Sequence, residues 1–351
     1  MAESSVTTKK RPCACGAVDV HTHFVPKTFP RYVGSTSSAR WPSMAPAQEC
    51  HQHVMLDDKI YRTVSDQCWE PPKRIADMDG IGIARQVLSP MPELLAYWLE
   101  PADARVMCRF LNESVAGMVA ANPGRFSGLA AVPLQDVDAA IVELEYAVRT
   151  LHLAGVEIGT NINDVVIGDA RFEPFFAAAE ALGAAVFVHP LRPAGMNRLV
   201  GPPMLEQALA FPGESGLAAA SLLTAGTLTR YPRLRIAFSH GGGSLLSLLP
   251  RLQQAWNVFP ALKKAMPVSP ADAARSLYFD NLVYDRHVVA QLLRVFGRTQ
   301  IMVGTDYPFG IMERDPCGRL AECELDEETL RLVSSANALR WLGMESGSSL
   351  G

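Results

Sequence analysis

Histidines and one aspartate in this chain stand where short apolar runs end. His21-Thr22-His23 follows the run 17–20 (AVDV), and alternate side chains of an extended segment share a face, so both imidazoles can reach one ion. His189 closes AVFVH, His240 closes RIAFSH and Asp306 closes IMVGTD. Taken singly, each is an ordinary partly buried residue. A second His-x-His pair, His51-Gln52-His53, lies in a polar region away from such runs and reads as a surface or strand pair. The repeated coincidence of residue type and position instead points to one divalent ion held by His21, His23, His189 and Asp306. Imidazoles with one carboxylate suit zinc, and manganese, cobalt or iron accept the same donors. Four protein ligands and a water make a five-coordinate site, in which the ion lowers the pKa of the water toward neutrality. His240 is then either a fifth ligand or a general base. The base is preferred, because a neutral imidazole accepts a proton near pH 7. Gly241-Gly242-Gly243 leaves the backbone open to close approach by a ligand. A phosphate loop is disfavoured, since no Lys-Ser/Thr follows.

These residues need a frame that brings strand ends together. Eight short runs rich in β-branched residues alternate with helical patterns: 17–20, 85–89, 126–132, 155–158, 185–189, 235–240, 277–280 and 301–306. Helical spacing marks 101–121, with Val106, Phe110, Val115 and Met118 on one stripe, stopped by Asn122-Pro123-Gly124. Similar patterns occupy 136–151 (Ala139, Val142, Leu144, Ala147, Val148), 173–182 and 326–342. Eight strands alternating with helices predict a parallel sheet closed into an α/β, TIM-like (β/α)8 barrel, whose active sites form at the C-terminal strand ends.

Two regions break the rhythm. Residues 27–72 are too long for a strand-to-helix loop and carry a hairpin signature at Asp57-Asp58, which predicts a small β-rich insertion after strand 1 that caps the active site. Residues 191–213, rich in Pro and Gly, follow His189 and are expected to shape the pocket. The rest of 17–351 reads as one barrel domain, and 1–16 as an unstructured polar tail without a secretory signal.

With 351 residues, 48% of them hydrophobic and 19% charged, the chain can bury a large core; an α/β barrel runs to roughly 250 residues before insertions. The net charge of −4 and the lack of any block of like charge argue against nucleic acid or an anionic membrane as the main partner. No apolar run reaches the length of a membrane span. Seven scattered cysteines, with Cys13-x-Cys15 as the one close pair, read as reduced thiols of a cytoplasmic protein.

The stretches VDVHTHFVP, VFVHP, FSHGGG and VGTDYPF, in this order, resemble the amidohydrolase-related decarboxylases, and the likeness runs from about Val18 to Leu342. DKIYRTV, CWEPPKRIADMD and GVEIGTNIN add less generic pieces. The resemblance implies a mononuclear zinc site at His21, His23, His189 and Asp306, with His240 as acid/base. It also implies two arginines for a substrate carboxylate, Arg62 in DKIYRTV and Arg251 in LLPRLQQAW. The second reaches into a neighbouring subunit's site, so a homodimer follows. This sequence departs from the close relatives after His189, where Leu191 replaces an aromatic residue and Arg192 and Arg198 add positive charge.

The expected function is metal-dependent, non-oxidative decarboxylation of an unsaturated or aromatic carboxylic acid, such as a carboxymuconate semialdehyde. Metal hydroxide formed with help from His240 adds to or protonates the carbon bearing the carboxylate, and Asp306 stays a ligand while shuttling a proton. One alternative is a hydrolase attacking a lactone or amide on the same site. FSHGGG, DYPF, Arg62 and the lack of a Lys in GVEIGT favour the decarboxylase by resemblance, although Glu157 offers a carboxylate that could bridge two metals. A non-catalytic metal-containing binding protein is the other alternative, disfavoured because structural zinc sites are usually rich in Cys.

Overall fold

Eight parallel strands pair in chain order: β1 (Ala17–Phe24), β2 (Ile83–Pro90), β3 (Phe126–Ala130), β4 (Gly155–Gly159), β5 (Ala185–His189), β6 (Arg235–Phe238), β7 (Tyr278–Asp280) and β8 (Ile301–Met302). The last returns to the first. Val20 donates its amide to the Val303 carbonyl at 2.9 Å, Asp306 to His21 at 2.9 Å, and His23 to Tyr307 at 2.7 Å. These bonds close the sheet into the expected barrel. The computed structural model describes residues 16–36 and 40–344; the tail expected over 1–16 lies, apart from Gly16, outside the described residues, as do Cys13 and Cys15. Among the described residues Cys50, Cys68, Cys108 and Cys323 are free thiols.

Helices cover the outside: α1 (Pro71–Ile81), α2 (Pro101–Ala121), α3 (Val137–Arg149), α4 (Glu173–Leu182), α5 (Phe211–Ala225), α6 (Leu245–Val258) and α7 (Arg286–Phe296). Sequence chemistry sets their ends. Asp136 accepts the Ala139 amide and Asp285 those of His287 and Val288, satisfying first-turn donors, while Gly82 and Gly183 end α1 and α4 in the left-handed region. Among the described residues no helix is long and apolar enough to cross a membrane.

The strands are sandwiched between two apolar layers. Outward residues such as Val156, Ile158, Val186, Val188, Ile236 and Phe238 pack with the helices. Inward ones, Val18, Val20, Val87, Leu129, Ala185 and Phe187, form a smaller cluster that Trp341 and Leu342 join from the C-terminal helical run. Trp341 is fully buried and donates Nε1–H to the Arg235 carbonyl at 3.1 Å. Its burial contributes about 3 kcal/mol, and the barrel interior is a packed core, not a pore.

Between β1 and α1 stands a three-stranded antiparallel sheet, Ser43–Pro46, His51–Leu56 and Lys59–Ser65. Its hairpin turns at Asp57-Asp58, where φ is 51° and 56°, the pair of left-handed residues a two-residue type I′ turn needs.

Two expectations need correction. The apolar stripe read on α2 holds for Val115, which is buried, and for Phe110 and Met118, which pack partly buried against the core, but not for Val106, which is exposed; Ala104, Met107, Cys108 and Leu111 complete the buried face. On α3, Val142 is likewise exposed, and Ala140, Glu143, Leu144 and Ala147 face inward. Polar contacts select these faces. Arg109 pairs with Glu143 at 2.8 Å, and Asn112 donates to Glu143 and to the Ala131 carbonyl, both at 2.9 Å. Spacing of apolar residues alone cannot reveal them. The second correction concerns strand ends: β6 stops at Phe238 and β8 at Met302, so His240 and Asp306 lie on the turns beyond. Both have left-handed backbones, φ 56° and 64°, which cannot continue a ladder.

Candidate metal centre

The strand β1 carries two histidines and must also fill the barrel. Its register against β2 shifts between Asp19 and Thr22. Val18 and Val20 accordingly join the inner apolar cluster, while His21 and His23 reach the centre beyond it. An irregular step of this kind re-aims side chains next to a site.

His21, His23, His189 and Asp306 are all buried, and one ligand atom from each lies within 4.8 Å of the others. Such a group can hold a single divalent ion. The donors are prepared for it. His21 gives its Nδ1 to Asp280 Oδ2 at 2.7 Å, which leaves Nε2 buried without a hydrogen-bond partner, 3.6 Å from Asp306 Oδ1. His189 donates Nδ1–H to the Pro190 carbonyl at 2.9 Å and keeps the Nε2 lone pair. His23 Nε2 sits 2.7 Å from Asp306 Oδ1, with Nδ1 also unpartnered. Orphaned buried nitrogens cost free energy unless something binds them, and an outer carboxylate or carbonyl that fixes the tautomer is the usual support of a metal-bound imidazole.

Burial and the two paired carboxylates together set the charge in this group. Burial opposes charge on His21, but the Asp280 hydrogen bond and charge overcome it and raise its pKa to about 9. Burial lowers His23 to about 4 against the pull of Asp306, and it holds His189 well below the usual range, helped by neighbouring imidazoles. Burial acts against Asp280 and Asp306 as well, yet hydrogen bonds from His21 and His23 keep both carboxyls below the ordinary value.

His240 stands beside this group and is not one of its four members. Its ring centroid lies 5.2 Å from that of His21 and 5.3 Å from that of His189. Burial, then the charge on His21, lowers its pKa to about 4. Ser239 Oγ meets Nδ1 at 3.1 Å, leaving Nε2 for a reacting group. The glycines after it serve packing more than ligand approach: a Cβ on Gly242 would lie 2.6 Å from Phe279, and one on Gly243 would strike the Pro212 carbonyl.

A cavity of about 650 Å³ opens over the centre, lined by His23, His189, His240, Asp306, Arg62 and Phe211 among others. Arg62 comes from the insertion strand Lys59–Ser65; its guanidinium lies 4.4 Å above Phe309, whose ring stacks on His23 at 4.8 Å. Arg251 does not share this placement. It is exposed on α6 and does not line the cavity of its own chain, and Arg198 likewise stays outside. His51 and His53 are spent locally, their Nδ1 atoms on Glu49 O and Thr63 Oγ1, both at 2.9 Å.

Several supporting residues escaped the sequence reading. Asp280 ends β7, so the strand-end rule that selected Asp306 would have found it. Arg74 of α1, fully buried, donates to the His23 carbonyl at 2.5 Å and to Thr22 Oγ1 and Gln67 O, both at 3.2 Å. Asp19 accepts from Thr305 Oγ1 at 2.6 Å and from the His21 amide at 3.2 Å, tying β1 to the turn after β8; burial raises its pKa to about 7. Glu157, which the sequence offered as a bridging carboxylate, is fully buried, burial raises its carboxyl to about 8, and it is not part of the four-residue group.

Residues 18–344 match the family described as Amidohydrolase. Among curated proteins, 2-amino-3-carboxymuconate-6-semialdehyde decarboxylase of Dictyostelium discoideum is 34% identical over 333 residues, spanning 93% of this chain and 92% of the relative. Among solved structures, 5-carboxyvanillate decarboxylase from Sphingomonas paucimobilis superposes with a TM-score of 0.71 at 26% identity, covering 77% of this chain and 82% of that one. A dihydroxybenzoic acid decarboxylase from Polaromonas, solved with bound manganese and the inhibitor 2-nitroresorcinol, shares the fold: TM-score 0.70, 20% identity, 94% and 97% coverage.

Proposed function

The chain belongs to the amidohydrolase family, and from that premise we propose that it is a metal-dependent, non-oxidative decarboxylase of an unsaturated or aromatic carboxylic acid, such as a carboxymuconate semialdehyde. The observation that carries the reading is the meeting of the His21, His23, His189 and Asp306 group with His240 and Arg62 on one cavity. The decarboxylase names of its relatives support it. Zinc as the resident ion, a homodimer joined through Arg251 and a cytoplasmic location are finer parts of the same proposal.

A divalent ion bound by the four residues supplies positive charge that polarises an oxygen of substrate or water. Asp280 holds the His21 ring for it, and the Pro190 carbonyl holds that of His189. Arg62 binds a substrate carboxylate with its planar donors, its guanidinium face resting on Phe309. Phe211, Phe309 and Leu191 enclose the apolar body of the acid and exclude water. His240 moves a proton at Nε2 to the carbon that bears the carboxylate. Conjugation is lost there, the carbon–carbon bond breaks, CO2 leaves, and its bonding electrons restore the unsaturated system. The net change is replacement of the carboxylate by hydrogen, with one proton consumed.

The test is incubation of the metal-loaded protein with carboxylated muconate semialdehydes and hydroxybenzoates, following CO2 and ultraviolet absorbance. CO2 release that vanishes on chelation and in His240→Ala is the expected result. No CO2 from any acid, with metal-dependent turnover of lactones or amides instead, would overturn the reading in favour of a hydrolase.

A further inference from the structure

We propose that Arg192, oriented by Glu93 and Trp98, forms a second anion-recognising subsite of the cavity, so that the preferred substrate is an acid with a second anionic substituent, a carboxylate or phenolate. The inference rests on the reading of this cavity as the site of a carboxylic acid and specifies which class of acid it takes.

Three arginines line the cavity, Arg62, Arg192 and Arg319. Arg319 is committed to protein carboxylates, with Glu313 at 3.1 Å and Glu322 at 2.8 Å. The other two are each laid on an aromatic ring: Arg62 at 4.4 Å over Phe309, and Arg192 at 4.1 Å over Trp98. Stacking occupies the face of a guanidinium and leaves its in-plane donors to a ligand. Among the described residues Arg192 uses one of these, Nη2 to Glu93 Oε1 at 2.8 Å, and its Nε and Nη1 make no hydrogen bond. A planar fork with one prong pinned can still take a carboxylate or phenolate on the remaining edge.

The backbone is built to hold the group in place. Arg192 follows His189-Pro190-Leu191 directly and has φ 46°, a left-handed conformation that costs a non-glycine residue about 1 kcal/mol and persists only where its surroundings impose it. They do so here. Asn161 donates Nδ2 to the Leu191 carbonyl at 2.9 Å and to Glu214 Oε1 at 3.0 Å, and Glu214 Oε2 accepts the Ala194 amide at 3.2 Å. Glu93, whose side chain is 9% exposed against 41% for Arg192, sits on the helical turn after β2 and also lines the cavity. It orients the guanidinium and competes with an incoming anion. The subsite therefore discriminates between acids more than it adds raw affinity.

Calorimetric titration of the metal-loaded protein with isophthalate and with benzoate reads this directly, because neither measurement needs turnover. The dicarboxylate-to-monocarboxylate affinity ratio is expected to fall about 5- to 20-fold in Arg192→Met, the range for one charge-assisted contact at a partly exposed site. Arg192→Lys should fall between, since an ammonium keeps the charge without the fork. Glu93→Gln should raise the ratio by removing the competing carboxylate. An unchanged ratio in Arg192→Met and Glu93→Gln, an equal loss for both ligands, or binding of neither would overturn the subsite. Failure of the decarboxylase reading looks different: no CO2 from any acid, with the ligand ratio still shifting in these variants.

Discussion

Asp280 Oδ2 accepts a hydrogen bond from His21 Nδ1 at 2.7 Å, and its other oxygen accepts the Gly241 amide at 2.8 Å. One carboxylate thus holds both a proposed ligand and the backbone beside the proposed proton carrier. Asp280→Asn keeps the shape and removes the charge that draws the imidazole proton. Metal affinity should fall about 10- to 100-fold, read by competition with a chromophoric chelator. Affinity equal to that of the wild type would show that Asp280 only packs.

His240 lies beside the four-residue group without belonging to it, so its loss should separate metal binding from turnover. His240→Ala is expected to keep one ion per chain and to lower kcat about 10²- to 10⁴-fold, the range for a positioned acid/base. Metal analysis and CO2 release on the same sample make the comparison. Loss of the ion would instead make His240 a fifth ligand.

His189→Ala and Asp306→Ala remove donors from the group itself. Both should purify with little bound metal and release no CO2. Wild-type protein stripped by a chelator should recover on addition of zinc, and titration with manganese and cobalt would rank the ions. Decarboxylation that persists in stripped protein would sink the metal-dependent reading.

Arg251 is exposed on α6, away from its own chain's cavity, so any part it takes in the chemistry must come from a second copy. Arg251→Ala and His240→Ala homodimers should each be inactive. Mixed and re-equilibrated, they should regain about one quarter of wild-type activity, since half the dimers are mixed and each has one complete site. Absence of recovery in mixed dimers shown by mass spectrometry would remove Arg251 from the site.

Arg74 binds the His23 carbonyl, Thr22 Oγ1 and the Gln67 carbonyl while its guanidinium lies 4.8 Å over Tyr307. Arg74→Met should cost about 3 kcal/mol, because buried acceptors are left unsatisfied. Urea denaturation would report it as a lower midpoint at unchanged slope. A midpoint within error of the wild type would mean that water replaces the guanidinium there.

The barrel and the set of residues brought to its centre were legible in the chain because both are written in local patterns. Short apolar runs alternate with helical ones, and a strand's period of two puts His21 and His23 on one face. Strand ends could be read only approximately. Ser239 and Thr305 look like continuations of β6 and β8, yet the left-handed turns at His240 and Asp306 end the pairing earlier, and no local pattern announces a positive φ at a non-glycine residue.

The chain's local patterns carry the order of elements, the hairpin at Asp57-Asp58 and the choice of His21, His23, His189, His240 and Asp306 as the residues that follow or end the short apolar runs. Which partners they meet is fixed only by folding. His21 finds Asp280 across 259 positions of chain, and Arg192 finds Glu93 across 99. The faces of α2 and α3, the shift of register in β1 and the outward placement of Arg251 were settled in the same way. Periodicity is a property of neighbours along the chain. A hydrogen-bonded pair that sets a tautomer or aims a guanidinium exists only once the barrel has closed and excluded water from both groups.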